Sequence, residues 1–262
     1  MITAILLGII EGITEFLPIS STGHLILFGN LLGFTGQKAA SFEVFIQLGA
    51  ILAVVVLYRQ RFGQLFSSRQ EGLSGVAGLR LLALTTLPAV ITGFLLHGFI
   101  KERLFNPAVV AIGLFIGGIA LITMERFYKP THVVDIEHIT KRQALNIGLF
   151  QLLALSPGVS RAGATIIGGR LVGLSRMAAV EYSFLVAVPV MIAAVSYDFI
   201  KSLPILTSND IMMFVVGFLA AFISAMLAIK FFIRLVQRFT LEPFGWYRIG
   251  LSGVILLWLL FL

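Results

Sequence analysis

Residues 8–24, GIIEGITEFLPISSTGH, set two carboxylates, a helix breaker, a run of three hydroxyls at 20–22 and a histidine inside largely apolar sequence. Glu11 and Glu15 are spaced i, i+4. On a helix their Cβ atoms lie about 5–6 Å apart on one face, where like charges destabilise the helix unless a cation or a proton intervenes. Pro18 removes a backbone donor and biases Leu17 away from helical geometry, so it ends the first helix. Ser20, Ser21 and Thr22 can then cap a second one. The expected element is a helix, a short break and a second helix whose first N–H groups face the carboxylates, which suits a metal or a phosphate with its counter-ions. Capping accounts for the serines as readily as binding does. It does not account for two glutamates in an apolar segment, where ionisable groups are rare and mark function.

Working outward, the chain has 262 residues, 58% hydrophobic and only 12% charged, with a mean hydropathy of +1.02. Soluble domains carry about 25% charged residues, so this composition predicts an all-α polytopic membrane protein. Segments 42–58, 80–100, 107–124, 177–200, 211–233 and 245–262 each approach the ~17–25 residues that cross hydrocarbon, which makes six spans. The 23 phenylalanines and 26 glycines fit bulky lipid-facing side chains alternating with small helix-contact residues. With no cysteine in the chain, disulfides, a thiolate nucleophile and a Cys-ligated metal are excluded. The net charge of +7 is explained by positively charged cytoplasmic loops and does not call for a nucleic-acid partner. The opening MITAILLGIIEG lacks a positive n-region and a cleavage site, and it does not read as a signal peptide.

Residues 2–16 and about 20–33 are the expected arms of the broken element. Each spans roughly 20 Å at ~1.5 Å per residue, short of the ~30 Å hydrocarbon core, so they should enter and leave on one side. The next span carries Glu43 and Gln47 at i, i+4, near its end, where interfacial solvation is an equal alternative to function. Residues 59–80 read as a basic loop. Pro88 is a tolerable kink in the following span. His97 reads as interfacial, having no polar neighbour at helical spacing. Residues 126–143 read as a solvated linker of mixed charge, in preference to a metal cluster of His132, His138, Asp135 and Glu137.

The opening element then returns as GLFQLLALSPGVSRAGAT, residues 148–165. At an offset of 140, Gly8 meets Gly148, Glu11 meets Gln151, Ser20 meets Ser160 and Gly23 meets Gly163, with Pro18 and Pro157 one place out. Beyond that, Glu43 with Glu181 implies one continuous register, whereas Pro88 with Pro189 and the two FIK triplets imply another; the first is preferred. The chain divides into repeats at 1–125 and 144–262 joined by the 126–143 linker, all within a single membrane domain. Three spans per half is an odd number, so the second half is expected upside down, as in inverted-repeat membrane proteins with two re-entrant broken helices.

Arg59, Arg61, Arg69, Arg80, Arg126, Lys129, Lys141, Arg142, Arg176, Arg234 and Arg238 fall on one side. Lys38, Lys101, Arg103 and Lys201 fall on the other. The first side is expected to be cytoplasmic, with both termini and the first broken helix opening outward.

The second break adds a fixed cation, Arg161, whose planar fork suits phosphate, flanked by Ser160 and Thr165 as further donors. Carboxylates, an imidazole, hydroxyls and an arginine at two helix N-termini point to phosphoryl chemistry on an anionic substrate. These residues carry a resemblance. EGITEFLPISSTGH resembles the glutamate-rich motif, and PGVSRAGAT the PGxSRSxxT motif, of the undecaprenyl-diphosphate phosphatase family of bacterial inner membranes, associated with bacitracin resistance. FEVFIQLGAILAVV at 42–55 and EYSFLVAVP at 181–189 are similar to that family too, so the likeness runs the length of the chain. Ala162 departs from the pattern, which usually has serine there.

The resemblance implies hydrolysis of a polyprenyl diphosphate at the outer face of the bacterial inner membrane, recycling the lipid carrier for peptidoglycan. It implies binding by Ser20, Thr22, Ser160, Arg161 and Thr165, and a divalent cation on Glu11 and Glu15. Glu15 is a candidate base, Ser21 a candidate nucleophile and His24 a candidate proton carrier; whether Ser21 or water attacks stays open. Oxygen ligands favour Mg²⁺ or Ca²⁺ over zinc. Membrane lipid is the other expected partner, and a homodimer is allowed. A transporter or flippase for an anionic lipid is the rival reading, because inverted repeats with broken helices are a transporter plan.

Overall fold

A computed structural model describes residues 1–68, 71–129, 134–202, 207 and 210–261. The chain is helical over its long apolar runs and over some shorter polar stretches as well. The helices are α1 (Ile2–Thr14), α2 (Ser21–Leu31), α3 (Gln37–Leu57), α4 (Arg59–Gln64), α5 (Gly75–Leu95), α6 (His97–Phe99), α7 (Pro107–Phe127), α8 (Lys141–Gln151), α9 (Arg161–Leu171), α10 (Arg176–Ser202), α11 (Ile211–Arg238) and α12 (Glu242–Leu260). Among the described residues, α3, α5, α7, α10, α11 and α12 are long and apolar enough to cross a membrane, the six spans expected. α3 and α5 begin about one turn earlier than hydropathy places them, because hydropathy marks the hydrocarbon segment and a helix continues beyond it. α7 starts where predicted: the Asn106 side chain accepts a hydrogen bond from the Val109 N–H at 3.0 Å, with Pro107 at the first helical position. The 59–80 segment is not all loop, since it contains α4 and the first turn of α5.

Many large apolar residues face outward, while small residues line the closest helix contacts beside buried phenylalanines such as Phe42, Phe184 and Phe232. On α11, Val215, Leu219, Ile223, Leu227 and Phe231 form an exposed stripe at i, i+4 spacing, while Gly217, Ala221, Ser224, Ala225 and Ala228 are buried. Those small residues let α1 lie against α11. A Cβ on Gly8 would meet Ala220 Cβ at 2.9 Å, and one on Gly12 would meet the Ala225 nitrogen at 2.7 Å. Close backbone approach of this kind is how helices associate where lipid removes the hydrophobic driving force.

The element order recurs after the linker. α2 and α9 each have 11 residues, and their N-caps Ser20 and Ser160 lie at the 140-residue offset. The span after the second arm is α3 in the first half and α10 in the second, which sets Glu43 beside Glu181 in element order and leaves Pro88 on α5. The arms are exchanged in the packing: α1 packs on α11 and α8 on α5, while α3 packs on α10 and α7 on α12. Short arms thus acquire full-length neighbours from the opposite half.

Ion pairs gather the helix ends. Lys38 bonds Asp210 at 2.9 Å, joining the starts of α3 and α11. At the other end, Arg176 bonds Glu125 at 2.7 Å, Arg126 pairs with Glu242, and Arg61 pairs with Glu137 and, at 3.4 Å, with Glu181. The linker is less solvated than its charge suggests. Val134 exchanges backbone hydrogen bonds with Gly173 and Ser175, and Ile136 and Ile139 are buried. Asp135 caps the turn after it and Glu137 serves Arg61; no metal-binding cluster forms among the described residues, and His132 lies outside them. His97 has a polar partner after all, Asp198 on α10 at 3.7 Å, a contact between helices that spacing along one helix does not reveal.

Candidate active site

Both breaks bend at a serine. Ser20 and Ser160, with φ of 68° and 72°, are the two non-glycine residues in the positive-φ region among those described. Such conformations cost of order 1–3 kcal/mol and persist only where surrounding structure imposes them. Each serine caps the helix it opens, accepting from the Gly23 N–H at 3.5 Å and the Gly163 N–H at 3.1 Å.

Glu15 joins the two breaks. Ser21 Oγ donates to Glu15 Oε2 at 2.5 Å, and Arg161 Nη2 donates to Glu15 Oε1 at 3.1 Å across 146 positions of sequence. The rest of the arginine is fixed as well: Nη1 donates to the Ser183 carbonyl at 3.0 Å, and Cζ sits 5.4 Å from the centre of the Phe16 ring. Its Nε is buried without a partner among the described residues. Thr165 Oγ1 donates to the Arg161 carbonyl at 2.8 Å and lies 2.7 Å from Ser183 Oγ. Ala162, the departure from the motif, is fully buried.

Glu11 is 0% exposed, and neither carboxylate oxygen finds a hydrogen-bond donor among the described residues. Glu15 follows it one helical turn later, at i, i+4. Buried carboxylates are ordinarily paired or hydrogen-bonded, so Glu11 marks a place where something cationic or protic is wanted.

His24 is turned away from this cluster. Its Nδ1 lies 2.8 Å from the Ser20 carbonyl and its Nε2 2.7 Å from Tyr247 Oη on α12, with the two rings stacked at 5.6 Å. A carbonyl can only accept, so Nδ1 carries the proton and the neutral ring's Nε2 accepts from the tyrosine O–H.

The chain matches the family described as "Bacitracin resistance protein BacA" over residues 4–254. It is 52% identical to the undecaprenyl-diphosphatase of Maridesulfovibrio salexigens over 257 residues, 98% of this chain and 97% of that one. It is also 52% identical to that of Desulfovibrio desulfuricans over 251 residues, 95% and 94% of the two chains. At greater distance, that of Parvibaculum lavamentivorans is 46% identical over 97% and 95%. This chain belongs to the BacA family.

Of the residues this BacA-family sequence singled out, Glu11, Glu15, Ser20, Ser21 and His24 lie on the first break and Ser160, Arg161 and Thr165 on the second. The structure brings Glu15, Ser21 and Arg161 into direct contact. It does not bring His24 to Ser21 or Glu15, since both ring nitrogens are engaged elsewhere. Thr22 is half-buried and its side chain makes no hydrogen bond among the described residues. Sequence reasoning missed Ser183, Tyr247 and Arg248. Arg248 had a signal, an ionisable residue inside an apolar span; the other two become meaningful only once the helices are assembled.

Proposed function

We propose that this chain hydrolyses undecaprenyl diphosphate to undecaprenyl phosphate and inorganic phosphate, the activity for which its relatives are named. The observation that carries the reading is the Ser21–Glu15–Arg161 contact, which sets a hydroxyl, its base and a guanidinium side by side at two helix N-termini. Glu15 accepts the Ser21 proton as Oγ attacks the terminal phosphorus. The bond from that phosphorus to the bridging oxygen breaks, and the lipid monophosphate leaves. Glu15 passes the proton to the oxygen of the departing monophosphate, and the carboxylate so restored takes a proton from the water that releases phosphate from the serine. In the variant with water as first nucleophile, Ser21 orients the phosphate instead. Trapping a phosphoserine in a single turnover distinguishes the two. Arg161, with its unpartnered Nε, and the N-termini of α2 and α9 offer positive potential to the diphosphate. Likeness to named phosphatases at about half identity favours this over a transporter. Phosphate release by the purified protein in detergent tests it, with Ser21→Ala and Arg161→Ala as inactive controls.

A divalent cation, Mg²⁺ or Ca²⁺, suits Glu11 and Glu15. The unpartnered, fully buried Glu11 carboxylate supports this. An ion held by these two carboxylates would take its other ligands from phosphate oxygens and water. Such an ion, when bound, neutralises charge on the phosphate oxygens. Glu11→Gln is expected to raise the metal concentration for half activity and to be partly rescued by excess metal, while Glu15→Gln is not rescued. Full activity after thorough chelation removes the metal and leaves the two carboxylates sharing a proton.

The second half is read as inserted upside down relative to the first, which the recurrence of element order and the exchanged arms support. With the arginine-rich ends cytoplasmic, the first break opens toward the outer face of the bacterial inner membrane.

A further inference from the structure

α12 carries a charge that a lipid-facing span does not need. Arg248 is 0% exposed, and among the described residues it has no carboxylate partner. Its guanidinium is ringed by five carbonyl oxygens. Nη1 donates to Pro18 at 3.2 Å; Nη2 donates to Gly158 at 3.0 Å, Val159 at 2.8 Å and Gly113 at 3.1 Å; Nε donates to Leu114 at 3.3 Å. Pro18 belongs to the first break, Gly158 and Val159 to the second, and the other two to α7. Room for the fork is kept by missing side chains: a Cβ on Gly117 would lie 2.7 Å from Arg248 Cζ, and one on Gly163 2.8 Å from Nη1. An uncompensated buried cation is costly to maintain, and breaks that free backbone carbonyls inside a membrane need donors.

We propose that Arg248 is a positioning residue that clips the two breaks to one another, and so holds Ser21 and Glu15, on the first, in register with Arg161, on the second. Its consequence for catalysis rests on the phosphatase reading; its structural part does not. The Glu15–Arg161 ion pair is a poor keeper of that register during turnover, because a diphosphate competes for the arginine. Every donor contact of Arg248 goes to backbone, so substrate leaves it intact. The clip also grips within two residues of Ser20 and Ser160, where the backbone is least at ease. A lysine, with one nitrogen, cannot span five carbonyls in a fixed fork.

The test uses full-length protein in detergent, in which introduced cysteines are unique. Nitroxides at Leu31→Cys and Leu171→Cys, on the far ends of α2 and α9, report the separation of the two breaks by dipolar spectroscopy. A narrow distance distribution is expected in the parent, broadened in both Arg248→Lys and Gly117→Ala; the second keeps the charge and displaces the fork, and it decides the matter where the first fails to fold. In unlabelled protein, kcat per folded molecule is expected to fall about 100-fold in either variant, the scale of a misplacement near 1 Å, with KM changed by less than about threefold. An unchanged distance distribution in both variants overturns the clip. So does a loss of activity that merely tracks loss of folded protein, which is what a structural arginine gives. Should the parent release no phosphate, the phosphatase reading falls, and the distance measurement still decides the clip.

Discussion

Ser160 shows how one residue can be asked for two incompatible things. Its side chain is a good helix cap, and its backbone, at φ 72°, is where an L-residue is strained. Alanine there loses the cap, worth about 1 kcal/mol, and keeps the strain; glycine loses only a few tenths through the cap and relieves the backbone. Ser160→Gly is therefore expected to melt above Ser160→Ala, by thermal unfolding in detergent, against the usual ranking of the two residues in helices. Arg161 is similarly committed. Its two terminal nitrogens serve Ser183 and Glu15 at once, so Arg161→Lys, which keeps the charge, is expected to lose at least about 100-fold in kcat/KM, since a point charge cannot reproduce the fork. A lysine variant with near-parental kinetics would remove the arginine from the chemistry.

At the scale of elements, α1 is a 13-residue helix docked on a 28-residue one, and it docks through glycine. Gly12→Ala pushes a methyl into Ser224 and the Ala221 backbone. Overpacking of this kind costs about 1–3 kcal/mol, and here it displaces the helix that carries Glu11. The variant is expected to lower the melting temperature and to weaken activity more than the same change at Gly250, which meets nothing. The spans, the two breaks and their capping serines were legible in the sequence, because each depends on local composition: an apolar run, a proline, a hydroxyl before a helix. The partners of Arg161 and His24 were not. Glu15 and Arg161 are 146 positions apart, and nothing in the spacing of either motif says that they touch. His24 looked like a neighbour of Ser21 along the chain, yet the stacking of Tyr247 turns it to α12. Arg248 was readable as anomalous and was absorbed into a span whose hydropathy alone sufficed to predict it.

Taken whole, the molecule has arginine-rich and arginine-poor ends, held by ion pairs at both. Because the chain lacks cysteine, single cysteines report sidedness without background. Ser68→Cys is expected to be shielded from an impermeant reagent added outside cells and Asn106→Cys to be labelled; the opposite pattern would turn the protein over in the membrane. The exchange of arms bears on how such a chain is made. α1 is synthesised first, but the groove that receives it belongs to α11, nearly the last span to leave the ribosome. Until then a helix too short to cross the bilayer, carrying two carboxylates, has no permanent seat. The newborn first half is thus a dependent fragment, exposed to quality-control proteases if synthesis stalls, and its chemistry is switched on only when the last third of the chain arrives to enclose it.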